Sequence, residues 1–554
     1  MFEADYIVVG GGSAGSVVAA RLSEDPGTKV LLLEAGGDGR GFWVDMPVGC
    51  VNLIGNPKTD WCYVTEPDST INNRKIIWNA GKMLGGGGGV NGQVYIRGQR
   101  SDYDGWEALG CTGWSFNEVQ TYFKKGESWE AKGDSQAHGH HGNLSVSRPY
   151  ERHPNPIAPL FLEAAQHAGL PFLDDYCEGN IEGAAYSLAT QHRGRRCSPS
   201  KAYLEPAAKR PNLQVLTHCE VEQILFTEGR ATGVRVRRRD GSFTTHSARR
   251  EIILCAGATQ SPTLLMRSGI GPAAHLRDMG IPLQVESPGV GQNLMEHPLI
   301  RLRWLVDVPT FNSQIQTLPQ RARHFLKYMV TRNGILSSSL VQALAGAKSD
   351  PALDHPDIVL ELLTFIFDTT KPPLRGGDGT AFLFPLQKKP ASGLMAMITR
   401  PYSRGEIKLK SRSIDDHPLI YTNLLGDERD LETLVRAGKL IEKIFASPGL
   451  SEHVVDRLDP EMKSDDEWRA FVKETAGVSY HAAGTCRMGA DPASVVDPQL
   501  RVRGVDGLRV VDTSIMPTQV SANTNAAAMM IGERASAFIL EGSGARAKPL
   551  AAVA

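Results

Sequence analysis

The chain has 554 residues, with 60 Lys plus Arg against 61 Asp plus Glu and a hydrophobic content of 41%. The balanced charge argues against nucleic acid as a partner, because phosphate binding needs a basic face, and the composition excludes wholesale disorder. No run of ~18 apolar residues occurs, so no membrane span is expected.

The first ten residues carry Glu3 and Asp5 and no basic stretch, unlike a signal peptide. Asp5–Gly10 (DYIVVG) reads as a buried strand, Gly11–Gly15 as a turn, and Ser16–Ser23 as a helix with Val17, Val18 and Leu22 on one face. Lys29–Leu33 (KVLLL) reads as a second strand, closed by Glu34. Fully apolar strands around a helix imply a parallel sheet covered on both faces. Residues 80–98 form a Gly-rich loop, and five consecutive glycines, Gly85–Gly89, suit a backbone passing close to a flat ligand. Residues 131–143, including His138, His140 and His141, read as a polar surface loop; a metal site there is disfavoured by the short spacing. Arg249–Ala256 reads as another buried strand, and Glu406–Lys410 alternates like a half-exposed antiparallel strand. Asp430–Phe445 carries a helical stripe, Gly507–Val511 is a strand and Asn525–Leu540 a helix. Eight cysteines without a CxxC pair read as reduced thiols in a cytoplasmic protein.

Gly10, Gly12 and Gly15 spell G-x-G-x-x-G between strand and helix, and Glu34 lies at the end of the next strand. The glycines permit a tight turn, close approach of a pyrophosphate and helix–strand packing, and the acid can accept from ribose hydroxyls. This points to an adenine dinucleotide. Gly11–Gly15 also fits G-x-S-x-G, with Ser13 as a hydrolase nucleophile. Such an elbow needs a sheet already built around it, and only ten residues precede the turn.

Five blocks resemble the glucose–methanol–choline (GMC) flavin oxidoreductases: GKMLGGGGGVNGQVYIRG, GATQSPTLLMRSGIG (257–271), GVGQNLMEHP (289–298), RPYSRGEIKLKS (400–411) and VVDTSIMPTQVSANTNAAAMMIGE (510–533). They run in family order along nearly the whole chain. The resemblance implies an α/β (α+β overall) fold, with a Rossmann-like FAD-binding domain interleaved with a substrate domain on a largely antiparallel sheet. The implied FAD parts are 1–152, 200–298 and 475–541, the substrate parts 153–199 and 299–474, and 542–554 a flexible tail.

The resemblance also implies FAD as cofactor. Gly10, Gly12, Ser13, Ala14, Gly15, Glu34 and Ala35 would hold the ADP half, with the Val221 backbone at adenine. Gly85, Gly86, Asn91, Gly92 and Val94 would line the flavin and pyrophosphate. Ala256, Gly257, Asp512, Thr513, Asn525 and Ala526 complete the implied binding set. Gly88 and Gly89 stand where many members have serines. Val90 falls where some members carry a histidine bonded to the flavin, so dissociable FAD is expected.

Oxidising an alcohol needs a base for the hydroxyl proton and an acceptor for the hydride, and neutral imidazole suits the first task. His481, followed by small residues, matches the family's catalytic histidine, and Asn525 is taken as its partner, with Asn523 fixing the turn. His297 is expected to be structural. The implied reaction is oxidation of a primary alcohol to the aldehyde, with hydride transfer to flavin N5 and reoxidation by a quinone, another non-nicotinamide acceptor or O2. A nicotinamide-linked dehydrogenase and a GMC-like lyase remain alternatives. Phe365, Phe367 and Phe382 suggest an apolar pocket, although core packing explains them as well.

Overall fold

A computed structural model describes residues 3–131, 136–371 and 384–542. Ala4–Val9 and Val30–Leu33 are buried at every position. They pair in parallel, and Val30–Leu33 continues in parallel to Leu213–Leu216. Ala4–Val9 is flanked on its other side by the long strand Phe243–Leu254. That strand serves two layers. Its second half runs parallel to Ala4–Val9 and Leu508–Val510, and its first half pairs antiparallel with Arg230–Arg238, which leads on to Cys219–Thr227. The apolar half is fully covered and the alternating half is open on one face, as the two kinds of pairing require.

A second seven-stranded sheet is antiparallel, in the order Val454–Arg457, Pro298–Val306, Ala391–Ile398, Ile358–Leu363, Val341–Ala347, Gly183–Tyr186. Gly477–Val478 pairs with Pro298–Leu299 at its edge, although the sequence reading groups residues from 475 onward with the FAD part. Glu406–Lys408 does alternate in burial, but it pairs with Leu419–Tyr421 in a separate ribbon. The molecule is a mixed α/β fold.

The chain ends are tied together by helix packing. The helix Ser13–Leu22 lies against Thr524–Gly542. A Cβ at Gly532 would sit 2.9 Å from Ala14 O and from Val17 Cβ, so only glycine permits this approach. Arg21 closes the contact with a buried 2.7 Å ion pair to Glu533. Two helices start earlier than their apolar stripes suggest, at Ser13 and Thr524, because their first turns carry the site. Gly542 ends the last helix, and residues 543–554 and Phe382 lie outside the described residues.

Two local expectations are overturned. The glycine run is not all loop: Gly87–Val90 makes one helical turn. The HGHHG segment is not all surface, for only His140 and His141 are exposed while His138 is buried. The His138 ring stacks on Trp129 at 3.6 Å, bonds Glu127 Oε1 through Nδ1 at 2.6 Å and lies 2.9 Å from Asp175 through Nε2. Burial opposes protonation of His138, but the bonds to Asp175 and Glu127 outweigh it and raise its pKa. Arg97, also buried, pairs with Glu127, so the positive charges compensate the acids without exposure. His138, Asp175 and Cys177 bring possible ligand atoms within 4.8 Å of one another.

Candidate active site

The two sheets enclose a cavity of about 1970 Å³. One wall is the carboxyl ends of the parallel strands, at Val9, Leu33 and Cys255, where α/β sheets bind ligands. The opposite wall comes from the antiparallel sheet, at Leu299, Arg301, Glu361, Leu363, Met395 and Met397.

The first wall is built of bare backbone. Gly10 adopts φ +99°, and a Cβ there would lie 2.5 Å from Cys255 O. Gly12, Ser13 and Ala14 follow on the cavity wall at the start of the first helix. Gly15 faces away: a Cβ there would meet Gly10 O at 1.9 Å, so this glycine packs helix on strand. Gly85, at φ +94°, donates its N–H to Gly11 O at 2.7 Å and joins the two glycine turns from behind. Ala526 is buried behind the wall. None of these three lines the cavity. Gly86, Asn91, Gly92, Val94, Val221, Ala256, Gly257, Asp512, Thr513 and Asn525 do. A Cβ at Gly87, Gly92 or Gly257 would have nothing within 4 Å, so these three leave a cradle that side chains would fill.

Two acids organise this wall. Glu34 accepts from Gly11 N at 2.8 Å and Gly36 N at 2.7 Å, which holds the turn, and it borders the cavity with Ala35. Burial raises its pKa against those two bonds. Asp512 accepts from Gly257 N at 2.9 Å, Ser261 Oγ at 2.6 Å and Ser514 N at 2.8 Å. Its carboxylate therefore braces two turns as well as bordering the cavity. Gly88 has no room for a side chain, because a Cβ would lie 2.5 Å from Pro199 Cδ and 2.8 Å from Asn525 Oδ1. The missing serine hydroxyl is thus matched by a proline ring. The glycine backbone, the acid at the strand end and the open cradle fit an FAD.

His481 projects between the walls. Its backbone N–H donates to both oxygens of Glu296, at 2.8 and 2.9 Å, and its carbonyl accepts from Gln519 Nε2 at 2.6 Å. The preceding Tyr480 is held at φ +62°, uncommon for a bulky residue, and these bonds fix the turn. Glu296 is buried, which pushes its carboxyl up to about 8 against the backbone N–H bonds. The His481 ring meets His297 Nδ1 through Nδ1 at 3.0 Å and Asn523 Nδ2 through Nε2 at 3.3 Å. Burial lowers its pKa to about 3, so the imidazole is neutral and keeps a lone pair free to accept a proton.

The partner assignment changes here. Asn523, not Asn525, lies against His481. Its Nδ2 also donates to Glu361 Oε1 at 3.3 Å, which orients the amide so that N–H faces imidazole Nε2. Nε2 is thereby assigned the lone pair, and Nδ1–H goes to His297. Asn525 Oδ1 accepts from Ser13 Oγ at 2.7 Å, on the dinucleotide side. Asn523 lies just before the last helix and Asn525 in its first turn, and they face different partners, which their spacing could not resolve.

Four residues were missed or undervalued in sequence. His297 is in direct contact with His481, Glu296 pins the His481 backbone, and Glu361 orients Asn523. Burial pushes the Glu361 carboxyl up to about 7, against Asn523 and Arg301. Arg301 lines the cavity without an ion pair or hydrogen bond among the described residues. The available signal was the run MEHPLIRLRW, where charged residues interrupt an otherwise apolar strand. Leu299, Arg301 and Arg303 share the cavity face and Ile300 and Leu302 the buried one. Phe365 and Phe367 do line the cavity.

Fold and site together fit a dinucleotide-dependent oxidoreductase. The GMC oxidoreductase pattern matches residues 4–299 and 401–532, and the chain belongs to this family of FAD-dependent flavoproteins acting on alcohols. An "alcohol dehydrogenase [acceptor]" of Pseudomonas putida is 37% identical over 543 residues, covering 97% of this chain and 95% of the relative. A mitochondrial choline dehydrogenase of Homo sapiens is 38% identical over 549 residues, covering 97% and 90%. Among solved structures, pyridoxine 4-oxidase from Mesorbium loti superposes with a TM-score of 0.85 at 31% identity, covering 97% and 99% of the two chains.

Proposed function

We propose that the protein oxidises an alcohol to its carbonyl compound, with His481 as general base and FAD bound without a covalent link. The observation that carries this is the neutral His481 ring, held between Asn523 and His297 in a cavity that also bares the glycine cradle. FAD, when bound, supplies the acceptor for the hydride leaving the alcohol carbon. His481 Nε2 takes the hydroxyl proton. The alcohol hydroxyl displaces the Asn523 N–H from Nε2, and that freed N–H meets the oxygen as negative charge develops there. Glu296 and Gln519 hold the His481 backbone, and His297 keeps the ring from turning. Val90 lines the cavity and offers no atom for a flavin bond, which supports dissociable cofactor.

The substrate class is a neutral or acidic alcohol rather than a choline-type cation. Arg301 faces the cavity unpaired, and such a charge repels a quaternary ammonium. Eight unpaired cysteines support a reducing, cytoplasmic compartment, with a quinone, another acceptor or O2 reoxidising the flavin. The test is anaerobic flavin reduction by an alcohol panel in the wild type and in His481→Ala. The variant should retain the yellow cofactor and be reduced at least ~100-fold more slowly. Near-wild-type reduction removes His481 from its role, and flavin that no alcohol bleaches favours the lyase.

A further inference from the structure

The helix Leu318–Thr331 is turned inside out. Leu318, Ala322, Phe325, Leu326, Met329 and Val330 recur at helical spacing and form one apolar face. That face points to solvent, with Leu318 78%, Leu326 61% and Val330 80% exposed. Tyr328 is the one fully buried residue of the helix. Phe42 extends the apolar face, its ring 5.8 Å from that of Phe325, and the exposed Trp43 follows it. Water solvates such a face poorly, and isolated exposed side chains need no explanation whereas a contiguous patch does.

The charge around the face has one sign. Arg321, Arg323, Lys327 and Arg332 lie on or just after the helix, and no acid occurs between Asp307 and Asp350. Arg193 and Arg195 flank it from the neighbouring hairpin, whose Gly194 abuts Arg332 O. None of these six cations has an ion pair among the described residues. The nearby Asp45 is taken by Lys201, at 2.5 Å. A second copy of the chain on a two-fold axis would set these cations against one another, so self-association is disfavoured.

We propose that this face is a peripheral membrane-docking surface that inserts its apolar stripe into an anionic lipid bilayer. An exposed apolar stripe edged by Lys and Arg, with aromatic residues beside it, has the composition of an in-plane interfacial helix. No helix of the described residues is long and apolar enough to cross a membrane, so the attachment is in the interface plane. Trp43 and Arg321 belong both to this surface and to the cavity wall, so the cavity reaches the outside beside the docking face. Docking here sets a lipid phase against that opening, from which an apolar alcohol or a lipid-dissolved acceptor can enter.

The test is flotation of the FAD-loaded protein with vesicles of phosphatidylglycerol and phosphatidylcholine, and with phosphatidylcholine alone. Its readout is independent of any turnover. The wild type floats with the anionic vesicles, and high salt weakens the binding. Lys327→Glu lowers the affinity by about fivefold or more, the scale of one interfacial cation. Leu326→Glu with Val330→Glu lowers it roughly tenfold or more for each apolar side chain removed. Both substitutions lie outside the cavity wall, so the flavin spectrum and turnover of a water-soluble alcohol with a soluble dye stay unchanged. Wild-type protein that stays at the bottom of the gradient overturns the proposal, as does a double variant that floats like the wild type. A wild-type dimer that the double variant converts to monomer, without flotation, also overturns it and assigns the face to a second copy.

Discussion

Asn523→Ala and Asn525→Ala separate the two asparagines by what each one touches. Asn523 makes two 3.3 Å contacts, to His481 Nε2 and Glu361 Oε1. If it only positions the imidazole, its removal costs about one ordinary hydrogen bond, ~1 kcal/mol, or about fivefold in rate. If its N–H meets the substrate oxygen as charge develops, the loss is that of an oxyanion donor, ~2.7–4 kcal/mol, or 10²–10³-fold. The cavity position of the amide favours the larger value. Asn525 bonds Ser13 Oγ at 2.7 Å in the dinucleotide turn, so Asn525→Ala should weaken FAD binding and leave the reduction rate of the loaded enzyme within about fivefold. The assay is stopped-flow flavin reduction at saturating alcohol, with FAD affinity from titration of the stripped protein. Fast reduction in Asn523→Ala together with a 10²-fold loss in loaded Asn525→Ala would refute the geometric assignment.

Three further expectations follow from the same geometry. Because burial lowers the His481 pKa to about 3, the neutral imidazole persists as pH falls, and in Glu361→Gln, which removes the carboxyl held at about 7, the flavin-reduction rate should stay flat from about pH 7 down to about pH 5. An acid limb centred near the ordinary histidine value, about 6.5, in that variant would contradict this. Gly88→Ser places a side chain against Pro199 and Asn525 Oδ1 and should cost ~1–3 kcal/mol in stability, read as a lowered Tm, with weaker FAD binding. An unchanged Tm and FAD affinity would show that the turn has slack the geometry denies. Arg301→Glu should raise kcat/KM for choline relative to an uncharged alcohol of similar size, while choline as the best substrate of the wild type would sink the reading of the cavity charge.

Much of the fold was legible because apolar periodicity and glycine spacing are local. The apolar runs at 6–9 and 30–33 read as covered parallel strands, and the glycines after the first read as a tight turn into the helix between them. The alternation of Glu406–Lys408 identified an antiparallel strand, but nothing local said that it would pair in a small ribbon rather than in the large sheet. His138 shows the same limit. Its polar neighbours read as surface, yet the chain brings Glu127, Asp175 and Arg97 around it from three other segments.

The sequence by itself determined the dinucleotide turn and the family, because the turn and each family block are short runs of neighbouring residues. Only the tertiary structure decided the rest of the site. It distinguished Asn523 from Asn525, set Glu296 and Glu361 behind His481 and Asn523, left Arg301 unpaired in the cavity, and turned the apolar face of Leu318–Thr331 outward. Those outcomes depend on which distant segments arrive beside a side chain. Hydrogen bonding, desolvation and exposure are properties of that arrival rather than of the residue alone.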